Sequence, residues 1–309
     1  MNIVIDNAIF TMQQQGGISR LWRSLLPALC DALPDATFDP AQPADWWIST
    51  YYQRAPIGVK SLAVVYDLIV DKYPLITNRA DSADIRRAVN DASAVVSISQ
   101  STAADVKTRL NRDSVIAYPG VDEHFGKVMP SAVARFQQFI GKPYVLVVGR
   151  RGLYKNIQTL YQSWKVWPAH KDYKLLCIGG EEPLPQDIAF AKAFPDTWQR
   201  MTLNDADLAA AYAGALCLVY PSIMEGFGLP LVEAMACACP IICDSTMGEI
   251  VADSAWTCDV TKPRAIASGL ELMGNPSNRV LAAIRGAERA KRYRWSSMAI
   301  GIAEALKSA

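Results

Sequence analysis

The chain has 309 residues, a length that favours two domains over one. Its formal net charge is +1, so the total charge gives no indication of nucleic-acid binding. It contains no apolar run of about 18 residues, which excludes a membrane-spanning helix at the level of the sequence.

The first residues, MNIVIDNAIF, have no basic region and resemble a first strand more than a signal peptide. The seven cysteines are odd in number and mostly lie in apolar segments, as expected for reduced thiols in a cytoplasmic protein. The spacing of Cys237, Cys239 and Cys243 is not that of a zinc site, so no metal is expected. We therefore expect a cytoplasmic protein. Peripheral contact with the inner face of a membrane stays open, because it needs only a basic or amphipathic surface.

Short apolar runs alternate with amphipathic stretches along the whole chain. The runs predict buried strands of parallel sheets at residues 3–5, 46–50, 62–66, 94–97, 115–117, 144–148, 174–178, 216–220 and 240–243. The amphipathic stretches predict helices at residues 18–33, 82–91, 101–111, 157–167, 205–213, 229–237, 263–272 and 279–293. This alternation indicates βαβ units and doubly wound α/β sheets.

A domain boundary is predicted after Pro119-Gly120, where a polar-to-mixed stretch separates two series of strands and helices. We place the first domain at residues 1–125 and the second at residues 142–295.

The segment with the clearest chemistry is PSIMEGFGLPLVEAMAC, residues 221–237, directly after a predicted buried strand. The carboxyl ends of parallel strands are where open α/β sheets bind ligands. Gly226 and Gly228 allow the backbone to approach a ligand closely, and the helix start beyond them suits a diphosphate. Glu225 and Glu233 could then face a sugar and a ribose. A glycine turn with two solvated glutamates is the alternative interpretation.

Two cations, Arg150 and Lys155, follow the predicted strand at residues 144–148. On that loop they could neutralise a pyrophosphate as it becomes the leaving group. Surface cations without a ligand are the alternative. Arg151, between them, is expected to be exposed or to make a weak phosphate contact.

Gly16-Gly17, after the first strand and before a helix, suggests a loop that passes close to phosphate or sugar, although a plain glycine turn fits equally well. The segment 13–20 is not the G-x-G-x-x-G fingerprint of dinucleotide-binding proteins, which argues against a nicotinamide-dependent oxidoreductase.

At these residues the chain resembles the GT-B retaining glycosyltransferases of the group-1, or GT4, type. The resemblance covers nearly the whole chain and is densest over residues 144–295, where EGFGLP is highly specific. In the first half it rests on GGISR from Gly16, VVYDLIVDKYP (64–74), VVSISQSTAADV (95–106) and YPGVDEHF (118–125). It implies two Rossmann-like domains facing across a cleft, with a last helix, about residues 296–309, that packs back on the first domain.

The resemblance also implies roles for individual residues. Arg150 and Lys155 are implied to bind the donor pyrophosphate, and Glu233 the ribose hydroxyls. Glu225 is implied to bind the donor sugar. The loop residues implied to surround the donor are Gly16, Gly17, Gly226, Phe227, Gly228 and Leu229.

One position departs from the family pattern. Relatives carry His-Asp where this chain has Tyr66-Asp67, and the family histidine lies near the transferred sugar. Tyr66 stays neutral near pH 7, but it can donate a hydrogen bond and form a wall. We expect Tyr66 and Asp67 on the acceptor side, with Asp67 a candidate for contacting the acceptor during catalysis.

The sequence therefore favours a retaining, metal-independent transfer of a mannose- or rhamnose-type hexose. GDP-mannose is the favoured donor, with UDP- and dTDP-sugars as alternatives; the donor is a substrate, so no cofactor is expected. The expected acceptor is a glycolipid or oligosaccharide in the synthesis of a surface polysaccharide. The alternative is a degenerate transferase that only binds a sugar nucleotide or a partner protein, which Tyr66 and the short N-terminal half favour.

Overall fold

The structure, a computed structural model, describes residues 1–14, 16–72, 79–180 and 182–309. Of the segments discussed above, Gln15 and residues 73–74 lie outside the described residues. The strands, numbered along the chain, are β1 Ile3–Ile5, β2 Trp46–Ser49, β3 Lys60–Val65, β4 Ala94–Ser97, β5 Val115–Ile116, β6 Tyr144–Val148, β7 Lys174–Ile178, β8 Trp198–Met201, β9 Leu218–Tyr220, β10 Ile241–Asp244 and β11 Trp256–Cys258.

Helices follow most of these strands. The α-helices are α1 Ala8–Met12, α2 Gly17–Ala32, α3 Ile69–Lys72, α4 Arg79–Asp91, α5 Gln100–Leu110, α6 Pro130–Ile140, α7 Ile157–Val166, α8 Pro185–Ala193, α9 Asp205–Gly214, α10 Leu229–Ala236, α11 Gly248–Val251, α12 Pro263–Gly274, α13 Pro276–Ala290 and α14 Trp295–Ser308. Short 3-10 helices lie at Glu123–Gly126, Leu153–Lys155, Pro168–Asp172 and Ser245–Met247. In the described part of the chain, no helix is long and apolar enough to cross a bilayer.

The chain divides into two compact units. The first contains Met1–Gly120 and Tyr293–Ala309, and the second contains Val121–Arg292. The last helix, α14, thus belongs to the first unit, where it packs against α2, β4 and β5. Its buried face carries Met298, Ile302 and Leu306, spaced so that they lie on one side of a helix.

In the first unit, β1 to β5 form a parallel sheet in chain order. Asn2, next to β1, forms a parallel bridge with Thr37 on the side of β1 that faces away from β2. After β1 the chain therefore passes through α2 to that side, and it then crosses to the opposite side of β1 to form β2. Helix α2 buries Leu21, Leu25 and Leu29, one per turn. The carboxyl end of β1 and the start of α2 therefore lie at a reversal of the sheet.

In the second unit, six parallel strands are arranged in the order β11-β10-β9-β6-β7-β8. The central strand β6 is apolar throughout because helices cover both sheet faces, and residues 144–147 are all buried. Two sheets of parallel strands with intervening helices confirm the predicted α/β class.

Candidate active site

Strand order places two loops beside a crevice at the carboxyl edge of the second sheet. After β6 the chain continues to β7 and β8 on one side, whereas after β9 it continues to β10 and β11 on the other. Because β6 and β9 are neighbours, the connections that leave their carboxyl ends diverge. Ligands of open α/β sheets bind at such a reversal. The predicted donor-binding residues of this unit lie on these two loops and on α10.

Lys155 and Glu225, one from each loop, form an ion pair at this edge. The Lys155 Nζ lies 2.5 Å from Glu225 Oε1, and the two side chains are 18% and 10% exposed. The sequence pointed to them separately, as a pyrophosphate cation and a sugar ligand. The structure brings both to the same place, 70 residues apart along the chain.

Two tyrosines surround this pair. The rings of Tyr154 and Tyr220 have their centroids 5.1 and 5.5 Å from the Lys155 Nζ. Burial, reinforced by the charge of Glu225 and a hydrogen bond to it, raises the pKa of Tyr220 well above its ordinary value. Its phenol therefore stays protonated and donates to the Glu225 carboxylate. This role could not be predicted from the sequence, since Tyr220 at the end of an apolar strand is indistinguishable from a core residue.

The glycine loop after β9 leads into α10. Gly228 precedes the helix with a φ of +94°, in the left-handed region that favours glycine. A Cβ at this position would lie 3.0 Å from Leu231 Cδ1, a tight contact that adds to the preference of this backbone conformation for glycine. Phe227 is buried, and Pro230 occupies the first turn of the helix. The N–H groups at this helix start carry the partial positive charge that suits a phosphate.

Glu233 lies in the second turn of α10 and is only 4% exposed. Its Oε2 accepts a hydrogen bond of 3.0 Å from the Tyr212 hydroxyl. Tyr212 is itself buried in α9 and makes an edge contact with the ring of Phe125. The carboxylate predicted to bind a ribose is thus held in a fixed orientation behind the glycine loop.

The two adjacent arginines have opposite environments. Arg150 is exposed, two residues after the end of β6. The expectation that Arg151 is exposed is wrong, because its side chain is 1% exposed and paired with the fully buried Asp187 at 2.9 Å. Arg151 also donates to the carbonyl of Gly179, which follows β7. Since Asp187 lies on α8, in the next strand–helix unit, this partner could not be predicted from the sequence around Arg151.

The same buried carboxylate organises the surrounding segments. Asp187 accepts hydrogen bonds from the Tyr161 hydroxyl at 2.6 Å and from the backbone N–H of Leu184 at 2.8 Å. Arg151 and Asp187 together connect the loops after β6 and β7 to helices α7 and α8. The contacts of Arg151 and Asp187 therefore fix the loop that carries Arg150 and Lys155.

In the first unit, Gly16 precedes α2 and Gly17 is the first residue of that helix. The Gly16 carbonyl accepts hydrogen bonds from the Ser19 hydroxyl and the Arg20 N–H. These glycines thus lie at the start of α2, at the reversal of the first sheet, where the sequence predicted a ligand loop.

Tyr66 is 5% exposed, and its hydroxyl is engaged within the first unit. It donates to the Thr50 carbonyl at 2.7 Å and accepts from the indole N–H of Trp22 at 2.6 Å. Burial raises the pKa of Tyr66 far above its ordinary value, so it is neutral at physiological pH. Asp67 is half-buried, and its Oδ1 accepts from the Ile69 N–H at the start of α3. The acceptor-side role of these two residues stays a prediction, and the structure shows Tyr66 as part of a buried hydrogen-bonded chain.

The cysteines fit the expectation of free thiols. All seven are unpaired by disulfides, and Cys237, Cys239 and Cys243 are buried. Within the described residues, no group of three or more His, Cys, Asp or Glu side chains is placed to hold a metal ion.

Comparisons with known proteins identify relatives of this chain. O-antigen chain mannosyltransferase B of Escherichia coli is 31% identical over 169 residues, 52% of this chain and 44% of that protein. O-antigen chain mannosyltransferase RfbU of Salmonella typhimurium is 31% identical over 139 residues, 42% of this chain and 38% of that protein. The matched part of these relatives is thus less than half of their length.

Solved structures share the fold over almost the entire chain. Sucrose-phosphate synthase from Thermosynechococcus elongatus superposes with a TM-score of 0.81 at 18% identity, covering 99% of this chain and 98% of the other. WaaG, a glycosyltransferase of lipopolysaccharide biosynthesis, superposes with a TM-score of 0.75 at 14% identity, covering 98% and 99%. Identities this low establish the fold alone. The similarity of the folds confirms the GT-B fold class that the resemblance implied.

The sequence pattern of one protein family, glycosyl transferases group 1, matches residues 130–285. That range contains both loops of the Lys155–Glu225 pair and all of α10. Because the match covers half of the chain, this protein belongs to the group 1 glycosyl transferase family.

Proposed function

We propose that the protein transfers a mannose-type hexose from a nucleotide-sugar donor, GDP-mannose in first place, to an oligosaccharide or glycolipid acceptor of a surface polysaccharide. The observation that carries this proposal is the Lys155–Glu225 pair at the strand reversal. It is supported by relatives that are O-antigen mannosyltransferases. We place the reaction in the cytoplasm, with peripheral contact at the inner face of the membrane where a glycolipid acceptor would be.

In this proposal, the donor diphosphate lies between the exposed Arg150, Lys155 and the start of α10. When the bond from the sugar C1 to the phosphate oxygen breaks, these groups stabilise the negative charge that develops on the diphosphate. Their fixed positive charge fulfils the function that a metal ion has in other phosphate chemistry, so the transfer is metal-independent. The buried Arg151 anchors this loop and does not contact the donor.

The sugar transfer is proposed to retain configuration at C1. The acceptor hydroxyl attacks from the face that the diphosphate leaves, a new bond forms from C1 to the acceptor oxygen, and a departing phosphate oxygen takes the proton. Glu225 orients the sugar hydroxyls, and Glu233 binds the ribose. The reaction then requires no further protein base.

The alternative is a degenerate transferase that binds a sugar nucleotide without transferring the sugar. One observation favours it: the Tyr66 hydroxyl is already hydrogen-bonded on both sides, at the position where the family resemblance implies a histidine.

The first test is a thermal-shift panel with GDP, UDP, dTDP and ADP, each with and without EDTA. A ligand that binds only the folded state stabilises it by about 2.7 kcal/mol at a hundredfold excess over its Kd. We expect a shift with GDP that EDTA does not alter and that Glu233→Ala removes. A shift with UDP alone would mean that the donor is a UDP-sugar and not GDP-mannose. The absence of a shift with every nucleotide would reject the proposed transfer.

A donor screen separates the two candidates. Incubation with GDP-mannose and an α-mannosyl acceptor should release GDP and extend the acceptor by one hexose, as measured by mass spectrometry. Nucleotide binding without extension, for every donor tried, would favour the degenerate module.

A further inference from the structure

A second groove lies at the amino-terminal edge of the sheet of the second unit, opposite the edge that carries Lys155 and Glu225. Tyr173 immediately precedes β7, and Trp256 is the first residue of β11. The groove has a volume of about 680 Å³, within the range of small-molecule sites. Lys155 and Glu225 follow the other ends of their strands, so a ligand in this groove would be separated from them by the length of the sheet.

Aromatic rings form its walls. Trp167, Tyr173 and Trp256 all line the groove. The rings of Trp167 and Tyr173 are 4.9 Å apart with their planes at 36°. Trp256 is 38% exposed, and its indole lies directly on α12 at Gly269, where a Cβ would be 2.7 Å from Trp256 Cδ1. A glycine at this place lets the indole rest on the helix backbone, so the groove has a fixed and accessible aromatic face.

Polar groups that pair with hydroxyls surround these rings. The amides of Asn275 and Asn278 line the groove and are held by hydrogen bonds to Ser277 N–H and the Leu272 carbonyl. An amide offers two donor hydrogens and two acceptor lone pairs, so these bonds leave hydrogen-bonding capacity for a ligand.

The charge of the groove excludes other ligand classes. Among the described residues that line it, Glu271 is the single charged one, and it is acidic. A phosphate, a nucleotide or an anionic lipid headgroup would meet no cation there. A purely apolar ligand would leave the remaining donor and acceptor positions of the two amides without partners, at a cost in free energy. A pyranose ring fits both sets of groups, since its C–H face packs on an aromatic ring and its hydroxyls pair with amides and carboxylates.

We propose that this groove is a saccharide-binding site that holds a segment of the glycan on which the protein acts, remote from the site of transfer. The identity of the glycan as a mannose polymer rests on the proposed function, whereas the presence of a saccharide site does not. A glycan bound here and at its reacting end would be attached at two points, which raises its effective concentration at the second.

The test is isothermal titration of the full chain with α-linked mannotetraose, in parallel with tryptophan fluorescence. We expect mannotetraose to change the fluorescence of the wild type, and Trp256→Ala to weaken binding at this groove at least tenfold. Ser268→Arg, an exposed position on α12 that lines the groove, should obstruct it without removing any packing. Phe139→Ala is the control, because Phe139 on α6 is 71% exposed and does not line the groove, so this variant should bind as the wild type.

The outcomes separate this proposal from the proposed transfer. Nucleotide-induced thermal shifts should be the same in Trp256→Ala, Ser268→Arg and the wild type, because the nucleotide loops lie at the other edge of the sheet. Wild-type affinity for mannotetraose in both groove variants would overturn the site. Equal binding of maltotetraose would overturn its assignment to a mannose polymer. Absence of nucleotide binding in the wild type, with mannotetraose binding retained, would reject only the transfer.

Discussion

Lys155 and Glu225 are close enough to interact strongly but are not fully buried. With side chains 18% and 10% exposed, the pair lies between a surface ion pair, which contributes about 0–1 kcal/mol, and a buried one. Such a pair can be disrupted by a ligand without unfolding its surroundings. Its two members are thus suited to binding and contribute only modestly to stability.

We predict that Lys155→Ala lowers turnover far more than stability. Loss of a group that stabilises developing charge typically reduces kcat by about 10²–10³-fold. The free energy of unfolding should fall by only about 1–2 kcal/mol, since the Tyr220 hydroxyl still donates to Glu225. Release of the nucleoside diphosphate and urea unfolding measure the two effects. Lys165→Ala, at an exposed position of α7, is the control; unchanged turnover in Lys155→Ala would contradict its role.

Tyr66→Phe tests whether the tyrosine is structural. It removes the hydroxyl between the Trp22 indole and the Thr50 carbonyl, leaving two buried groups without that partner. We expect a loss of about 1–3 kcal/mol in urea unfolding. If Tyr66 serves only the fold, KM for the donor and kcat should change less than twofold at a temperature where the variant is folded. A large fall in kcat would instead show that the hydroxyl acts on the transferred sugar.

At this scale the sequence predicted residues whose chemistry is local to a motif. Arg150, Lys155, Glu225 and Glu233 follow strands or glycines that mark the carboxyl edge of a sheet, so their positions could be inferred. Arg151 could not be distinguished from Arg150, because its environment depends on Asp187 in a separate helix.

Some secondary-structure elements could not be predicted from the sequence, and their positions in the fold explain why. Strands β8 and β11 form the two edges of the second sheet. An edge strand has a neighbouring strand on one side only and is less buried than a central strand. The half-buried WQRM of β8 therefore lacks the continuous apolar run used to predict its neighbours. Helix α6 lies in the stretch taken as an interdomain connection, although Pro130 at its first position is a helix-start signal.

The loop between β6 and α7 depends on a buried ion pair, and the adjacent arginines allow a matched comparison. We predict that Arg151→Met costs about 3–5 kcal/mol of unfolding free energy, because Asp187 remains buried without its charged partner. Arg150→Met, one residue earlier and exposed, should cost less than about 0.5 kcal/mol. Conversely, Arg150→Met should weaken nucleoside diphosphate binding directly.

Chemical denaturation and calorimetric titration with GDP would measure both arginine variants. Equal stability of the two would show that Arg151 does not anchor the loop. Unaltered GDP affinity in Arg150→Met would remove Arg150 from the donor site.

For the whole molecule, the division into units differs in detail from the boundaries drawn from the sequence. The second unit begins at Val121, so the 3-10 helix Glu123–Gly126 and α6 belong to it. Phe125, whose carbonyl accepts from the Cys237 thiol, packs on Tyr212. These contacts join residues more than 80 apart, which is why a change in composition alone did not reveal where the second unit starts.

Two buried thiols are expected to lower the free energy of unfolding of the whole chain at alkaline pH. Burial raises the pKa of both Cys177 and Cys239 to about 12 from an ordinary value of 9.0. Both thiols are protonated in either state below pH 9, so their contribution is then fully present. Above pH 9 only the unfolded chain releases these protons, and stability should fall by about 1.4 kcal/mol per pH unit for each thiol until the folded pKa is reached.

Urea unfolding under reducing conditions at pH 7, 8, 9, 10 and 11 would measure this decline. The variant Cys177→Ala/Cys239→Ala should be less stable at pH 7, through lost packing, but should decline less steeply above pH 9. Parallel curves for variant and wild type would mean that these thiols do not cause the dependence.

The contact between Lys155 and Glu225 also bears on selectivity among ligands. Because the ammonium of Lys155 and the carboxylate of Glu225 pair with each other, any ligand that binds either group must compete with this ion pair. A free diphosphate would bind the ammonium of Lys155 but leave the carboxylate of Glu225 without its cation. A free sugar would bind the carboxylate of Glu225 but leave Lys155 without its anion. An intact nucleotide sugar replaces both partners at once. On the roles assigned to these residues, the protein would discriminate against halves of its donor, and would release the diphosphate more readily once the sugar has left.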